Sequence, residues 1–151
     1  MSLEEYLKTL EGSGPLISKS KTLKEFADKI CPETIEDFFM AEYLKKNGEH
    51  VFGSLWFFSP KYFLESKRMM SKETNLDISC IYRNIERFEV TYVHYNPLEP
   101  EKATDDSRLR IEANAENVFF GLQASGRNCC KLWSIIDRYI LPNLAEFIEI
   151  S

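Results

Sequence analysis

Apolar and polar positions alternate through the middle of the chain, from Glu36 to Tyr95, and the pattern is clearest between Phe52 and Ser66. Phe52-Gly53-Ser54-Leu55-Trp56-Phe57-Phe58 and Tyr62-Phe63-Leu64-Glu65-Ser66 read there as two aromatic-rich strands joined by a turn at Ser59-Pro60. A strand presents a side chain to each face at every second residue, and aromatic rings suit a pleated, half-buried surface. Proline has no amide to give to a ladder, so it belongs where one strand stops and the next begins.

On either side of this hairpin the pattern predicts further strands. Phe38, Met40, Glu42 and Leu44 alternate with Phe39, Ala41 and Tyr43, leaving both faces fairly apolar. Helix competes over this stretch, but Asn47-Gly48 follows directly, and that pair suits a tight hairpin turn in which both residues take positive φ. The returning strand runs from His50 to Phe58, and the third from Tyr62 to Lys67. Ile78, Cys80, Tyr82, Ile85, Phe88, Val90, Tyr92 and His94 mark two more, with a slip in alternation at Arg83-Asn84 that signals a bend or bulge. Asn96 to Asp106 reads as a long acidic, exposed connection. Leu109–Ala113 and Val118–Gln123 then complete about seven strands, with Asn114 and Asn117 at the turn between them.

Both ends have helical spacing. Leu3, Tyr6, Leu7 and Leu10 lie on one stripe, and Glu11-Gly12-Ser13-Gly14-Pro15 breaks it. This arm reads as a partly ordered tail, or as a stripe that docks elsewhere. Thr22-Leu23-Lys24-Glu25 has the form of a capping box, which predicts a helix starting at Thr22, in which Leu23, Phe26, Ala27 and Ile30 fall at helical spacing, and ending at Cys31-Pro32. Near the other end, Cys129, Leu132, Trp133, Ile136, Tyr139 and Ile140 follow the i, i+3, i+4, i+7 rule, predicting an amphipathic helix from about Arg127 that is interrupted near Pro142. The predicted division is an N-terminal helical extension and linker over residues 1–33, followed by a strand-rich domain over 34–151.

Composition narrows the function classes. At 151 residues the chain is about the size of one domain, and 44% hydrophobic with 28% charged residues is an ordinary globular balance. The net charge of −5 is spread along the chain, without the basic footprint of a nucleic-acid binder. No run reaches the roughly 18–20 apolar residues that span a bilayer. The acidic start, Met1-Ser2-Leu3-Glu4-Glu5, lacks the basic and apolar regions of a signal peptide, so a cytoplasmic location is expected. The four cysteines suggest no disulfide framework, with Cys31 and Cys80 alone and Cys129-Cys130 adjacent on a helix. The two histidines, His50 and His94, are isolated, so no metal site and no cofactor is expected.

The order of about seven antiparallel strands and then one amphipathic helix resembles the pleckstrin-homology (PH)-like superfold. Within that group it is most similar to GRAM-type and bacterial PH-like domains. The resemblance covers Glu36 to Leu141. It rests on Gly53-Ser54-Leu55-Trp56-Phe57-Phe58-Ser59-Pro60-Lys61-Tyr62-Phe63-Leu64-Glu65, similar to the family's Gly-x-Leu-aromatic strand, turn and aromatic strand. It rests also on Asp77–Ile85 and on the helix Cys129–Ile140, which carries Trp133 where the family often places an inward tryptophan. The resemblance implies an α+β, mainly β fold, a partly open barrel capped by its last helix. It also implies a non-catalytic binding or adaptor module.

Two kinds of ligand fit such a module. A protein or peptide partner is the leading expectation, because an open barrel leaves a groove between a strand edge and the C-terminal helix where an extended segment can add a strand. The alternative is an anionic, phosphoinositide-bearing membrane, which would make the protein peripheral. A phosphorylated headgroup needs clustered cations, and the candidates are Lys45, Lys46 and His50 around the first hairpin, with Lys67 and Arg68 as a second edge. Glu49 follows the two lysines, and the family's Lys-x-Arg pattern is absent. A cysteine-dependent enzyme is a further alternative, with Cys129 or Cys130 at a helix start and His94 as base. Cys129 falls on the apolar stripe and nothing in the sequence orients His94, so packing is the expected role and no catalytic residue is assigned. Self-association through Leu3–Leu10 or an exposed strand edge would make a homo-oligomer.

Overall fold

The computed structural model describes residues 2–10, 17–44, 50–67, 77–82, 85–115 and 118–144. The chain is mixed α+β and mainly strands. β1 (Asp37–Leu44), β2 (His50–Phe58), β3 (Tyr62–Lys67) and β4 (Asp77–Tyr82) pair in that order as an antiparallel sheet. β5 (Ile85–Val93), β6 (Arg108–Ala115) and β7 (Val118–Ser125) form a second antiparallel sheet, again in chain order. Among the described residues no ladder joins β4 to β5 or β7 to β1, so the two sheets do not close into a barrel.

The described side chains in the middle of β1, β2 and β3 are buried on both faces, which is why these strands read there as almost continuously apolar. Phe39, Trp56, Phe58 and Phe63 point toward the second sheet and C-terminal helix α3 (Asn128–Ile135). Phe38, Met40, Leu55, Phe57 and Leu64 point the other way, under helices α1 (Leu3–Lys8) and α2 (Ile17–Ile30). Gly53 is the unpaired residue of a bulge, because Ala41 faces Ser54 while Glu42 faces Phe52. The second sheet follows the simpler rule. In β6, Leu109, Ile111, Ala113 and Ala115 are buried, and Arg108, Arg110, Glu112 and Asn114 take the outer face.

The N-terminal arm is docked. Ser2 caps α1 by accepting from the Glu5 amide at 3.1 Å, and Tyr6 and Leu7 are buried. The arm therefore packs through its stripe instead of trailing as a tail. The expected start of α2 at Thr22 is corrected to Ile17. Its buried stripe runs through Ser20, Leu23 and Ala27, with Ile17 half-buried, and Thr22 and Glu25 are exposed in mid-helix. Ser20 is buried on that stripe and donates to the Ile17 carbonyl at 2.6 Å, while Phe26 and Ile30 lie off it, at 52% and 37% exposure. The helix does end at Ile30, before Cys31-Pro32.

After Gly126, whose φ of 58° lies in the left-handed region that glycine adopts at least cost, α3 enters and leads into a π-helical turn (Ile136–Ile140) and a 3-10 turn (Leu141–Asn143). Leu132, Ile135, Ile136 and Ile140 are fully buried against the sheets, and Trp133, expected inward, is half-buried at the rim of the core.

Burial holds several groups in their protonated forms. It pushes the Cys129 thiol from about 9 up to about 12, with the Glu42 charge adding to the shift, and the Tyr139 phenol from 10.0 to about 12, with Asp37 and Glu36 adding. Tyr6 and Tyr95 are raised further still, again chiefly by burial. Above the ordinary values of these groups the unfolded chain releases protons that the folded chain keeps, so stability is full below about pH 9 and falls as pH rises. The thermal midpoint, followed by circular dichroism, is expected to hold level from pH 7 to 9 and drop progressively by pH 11. A level midpoint to pH 11 would show that these groups ionise without unfolding.

Candidate functional site

Strand order makes β5 an edge. Among the described residues its free side is met at one point, where Leu144 pairs with Ile85 in a parallel bridge. Beyond that bridge the main chain from Glu86 to Val93 pairs, among the described residues, with β6 alone. Such an edge offers unpaired amides and carbonyls to an incoming strand. The charges at Glu86, Arg87 and Glu89 oppose indiscriminate pairing, and all three are exposed.

The two faces of β5 differ. On the core side Phe88, Val90 and Tyr92 face Ala113, Ile111 and Leu109 of β6. Those β6 partners are buried, whereas Phe88 and Val90 are half-buried and Tyr92 is 57% exposed. The roof explains the gradient. α3 lies over β7, β6 and β1, and the apolar row emerges from beneath it at β5. In a helix the residues flanking Leu132 project about 100° to either side of it. Lys131 takes the β1 side, where it ion-pairs with Asp37, and Trp133 takes the other. Trp133 packs against the rim of the same core as Phe88, Val90 and Ala103. The result is a half-covered apolar strip beside an open strand edge.

The outer face of the second sheet has a shallow hollow lined by Arg87, Glu89, Glu112, Ala113, Asn114 and Phe119. Glu89 and Glu112 are cross-strand partners, a like-charged pair that Arg87 and Arg110 neutralise through ion pairs. The hollow is already satisfied in charge.

Of the residues singled out in the sequence for lipid binding, Lys45, Lys46 and Arg68 lie outside the described residues. The backbone places His50 at the start of β2 and Lys67 at the end of β3. Because Leu55 faces Ser66, both positions belong to the same end of the first sheet. The cysteine alternative meets an unfavourable site: Cys129 is fully buried, its thiol is raised, and its Sγ donates to the Ala124 carbonyl at 3.5 Å. His94 is exposed in a connection of positive φ, and its carbonyl accepts from Ser107 Oγ at 2.8 Å. No group of three His, Cys, Asp or Glu among the described residues is arranged to hold a metal ion, and no helix among them is long and apolar enough to cross a membrane.

Sequence reasoning missed a buried polar cluster at the seam between β1 and β7. Glu42 accepts from the Ser125 amide at 2.8 Å, from Ser125 Oγ at 2.6 Å and from Asn128 Nδ2 at 3.2 Å. Its only signal was an acid inside the apolar run Phe38–Leu44. Comparison with protein-family models, with curated proteins and with solved structures found no match to this chain.

Proposed function

We propose that this protein is a non-catalytic binding module on a PH-like scaffold, and that it takes up an extended segment of a protein partner along the free edge of β5. The observation that carries the reading is the combination at β5: an edge that no other described residue pairs beyond Ile85, next to an apolar row that α3 leaves half covered. An added strand would gain main-chain hydrogen bonds from the edge and would lay alternate side chains beside Phe88, Val90 and Tyr92. Two antiparallel sheets in chain order followed by a helix at the open end support the PH-like scaffold.

The test is selection of linear peptides from a random display library on the full chain, followed by titration. Selected peptides should alternate apolar residues with period 2 and shift the β5 amide resonances on binding. Tyr92→Glu, at an exposed position, should weaken them about tenfold, the effect of removing roughly 1.4 kcal/mol of contact. A chain carrying Lys45→Glu and Lys46→Glu should bind them unchanged. Peptides that leave β5 unshifted would sink the reading. Salt-sensitive binding to phosphoinositide vesicles, lost in the double-lysine variant, would put the membrane alternative in its place.

A further inference from the structure

Tyr6 is bound in a way that the fold does not require of a packing residue. Its hydroxyl accepts from the Met40 amide at 3.0 Å and donates to Asn128 Oδ1 at 2.7 Å. Asn128 Nδ2 returns to the Met40 carbonyl at 3.1 Å. Met40 lies on β1, an edge strand of the first sheet, and its outward amide and carbonyl are taken by a phenol and a carboxamide that also bond to each other. This closed ring of hydrogen bonds is buried.

The seat reads a specific chemistry. It needs one atom that both accepts and donates, carried on a flat apolar body. A phenol does this, phenylalanine offers neither bond, and tryptophan can only donate. The Phe38 ring lies 5.5 Å from the Tyr6 ring, and Lys131 Nζ stands 5.4 Å from the Tyr6 centroid and 4.8 Å from that of Phe38. Asp37 holds that ammonium in place. Leu7 is fully buried beside Leu23 and Ala27, with Leu3 and Leu10 half-buried at the two ends. The seat thus recognises Leu-x-x-Tyr-Leu-x-x-Leu presented on one helical stripe.

The element that fills it depends on it. α1 has six residues, and isolated helices shorter than about 12–15 residues are marginal in water. Its order comes from docking, and it is tethered to α2 through Glu11-Gly12-Ser13-Gly14-Pro15-Leu16.

We propose that the cleft between β1 and the start of α3 is a binding site for a tyrosine-bearing amphipathic helix, occupied in cis by α1 as a tethered ligand. A partner helix of the same pattern takes the seat by displacing α1, and its apparent affinity is lowered by the fraction of molecules in which α1 is docked. This site is separate from the β5 edge and does not depend on it.

The probe is a fluorescent synthetic peptide copying residues 2–10, titrated by polarisation into the full chain carrying Tyr6→Ala, which vacates the seat. The peptide should bind saturably. Its own Tyr6→Phe version should bind at least tenfold more weakly, and the unsubstituted chain should take the original peptide at least tenfold more weakly than the Tyr6→Ala chain does. Absence of saturable binding to a folded Tyr6→Ala chain, or equal binding of the two peptides, overturns the proposal. Should circular dichroism show that Tyr6→Ala does not fold, the milder Tyr6→Phe chain decides. Hydrogen exchange at the Met40 amide should then rise at least tenfold while β6 amides keep their protection, and unchanged exchange at Met40 overturns the proposal.

Discussion

Replacing Trp56 with alanine is expected to destabilise the protein by about 3–5 kcal/mol, the range for deleting a buried large aromatic side chain. Trp56 is fully buried at the centre of the first sheet, with Phe39 and Glu65 as its strand partners. Its ring lies 5.3 Å from that of Phe120 and 6.3 Å from that of Phe58, so it joins the facing sheets directly. Phe58 in turn stacks on Tyr139 at 5.5 Å, linking the same aromatic group to the C-terminal helical segment. Removing the indole leaves a void that rings held by two sheets and a helix cannot refill, and lost contacts add to lost burial. A domain of this size has about 5–15 kcal/mol of stability in total, so the variant should be close to its limit at physiological temperature. Urea unfolding followed by far-ultraviolet circular dichroism measures the change, and a midpoint near the unsubstituted one would show that the core repacks.

Glu42→Ala is expected to lose about 2–4 kcal/mol at neutral pH, because removing one partner of a charged, buried hydrogen-bond cluster leaves the others unsatisfied. The carboxylate holds the Ser125 amide, the Ser125 hydroxyl and Asn128 Nδ2, and it is 9% exposed. Without it the Ser125 amide has lost its acceptor at the end of β7, and Asn128 has lost one of the two acceptors of its amino group. A double-mutant cycle with Ser125→Ala separates this from simple loss of volume. Coupling of about 1 kcal/mol or more is expected between the two positions, and strict additivity would mean that the cluster contributes little.

The strands of the first sheet were legible because alternation and turn chemistry agree there. Ser59-Pro60 joins β2 and β3, and the expected limits His50–Phe58 and Tyr62–Lys67 are those observed. The start of α2 was hidden because Ser20, buried on its inner stripe, reads in the sequence as a polar position. Glu42 could be placed on a strand, but its environment depends on a bulge at Gly53 and on Ser125, 83 residues away in sequence. Tyr6 was placed on an apolar stripe, and its true partner, Asn128, is 122 residues distant. That β5 is an edge beside a half-covered apolar strip was not legible, since being an edge is a property of sheet order and leaves little mark on a strand's own residues.

The seam between β1 and β7 has a further consequence. A backbone ladder is nearly indifferent to which side chains it carries, so substitution seldom unmakes it. Here side-chain bonds at the junction are made by Glu42, Ser125 and Asn128, and each is a single codon change from a residue that cannot make the same bond. The attachment of the two sheets along this seam is therefore open to heritable adjustment one residue at a time, while the ladders within each sheet keep their register.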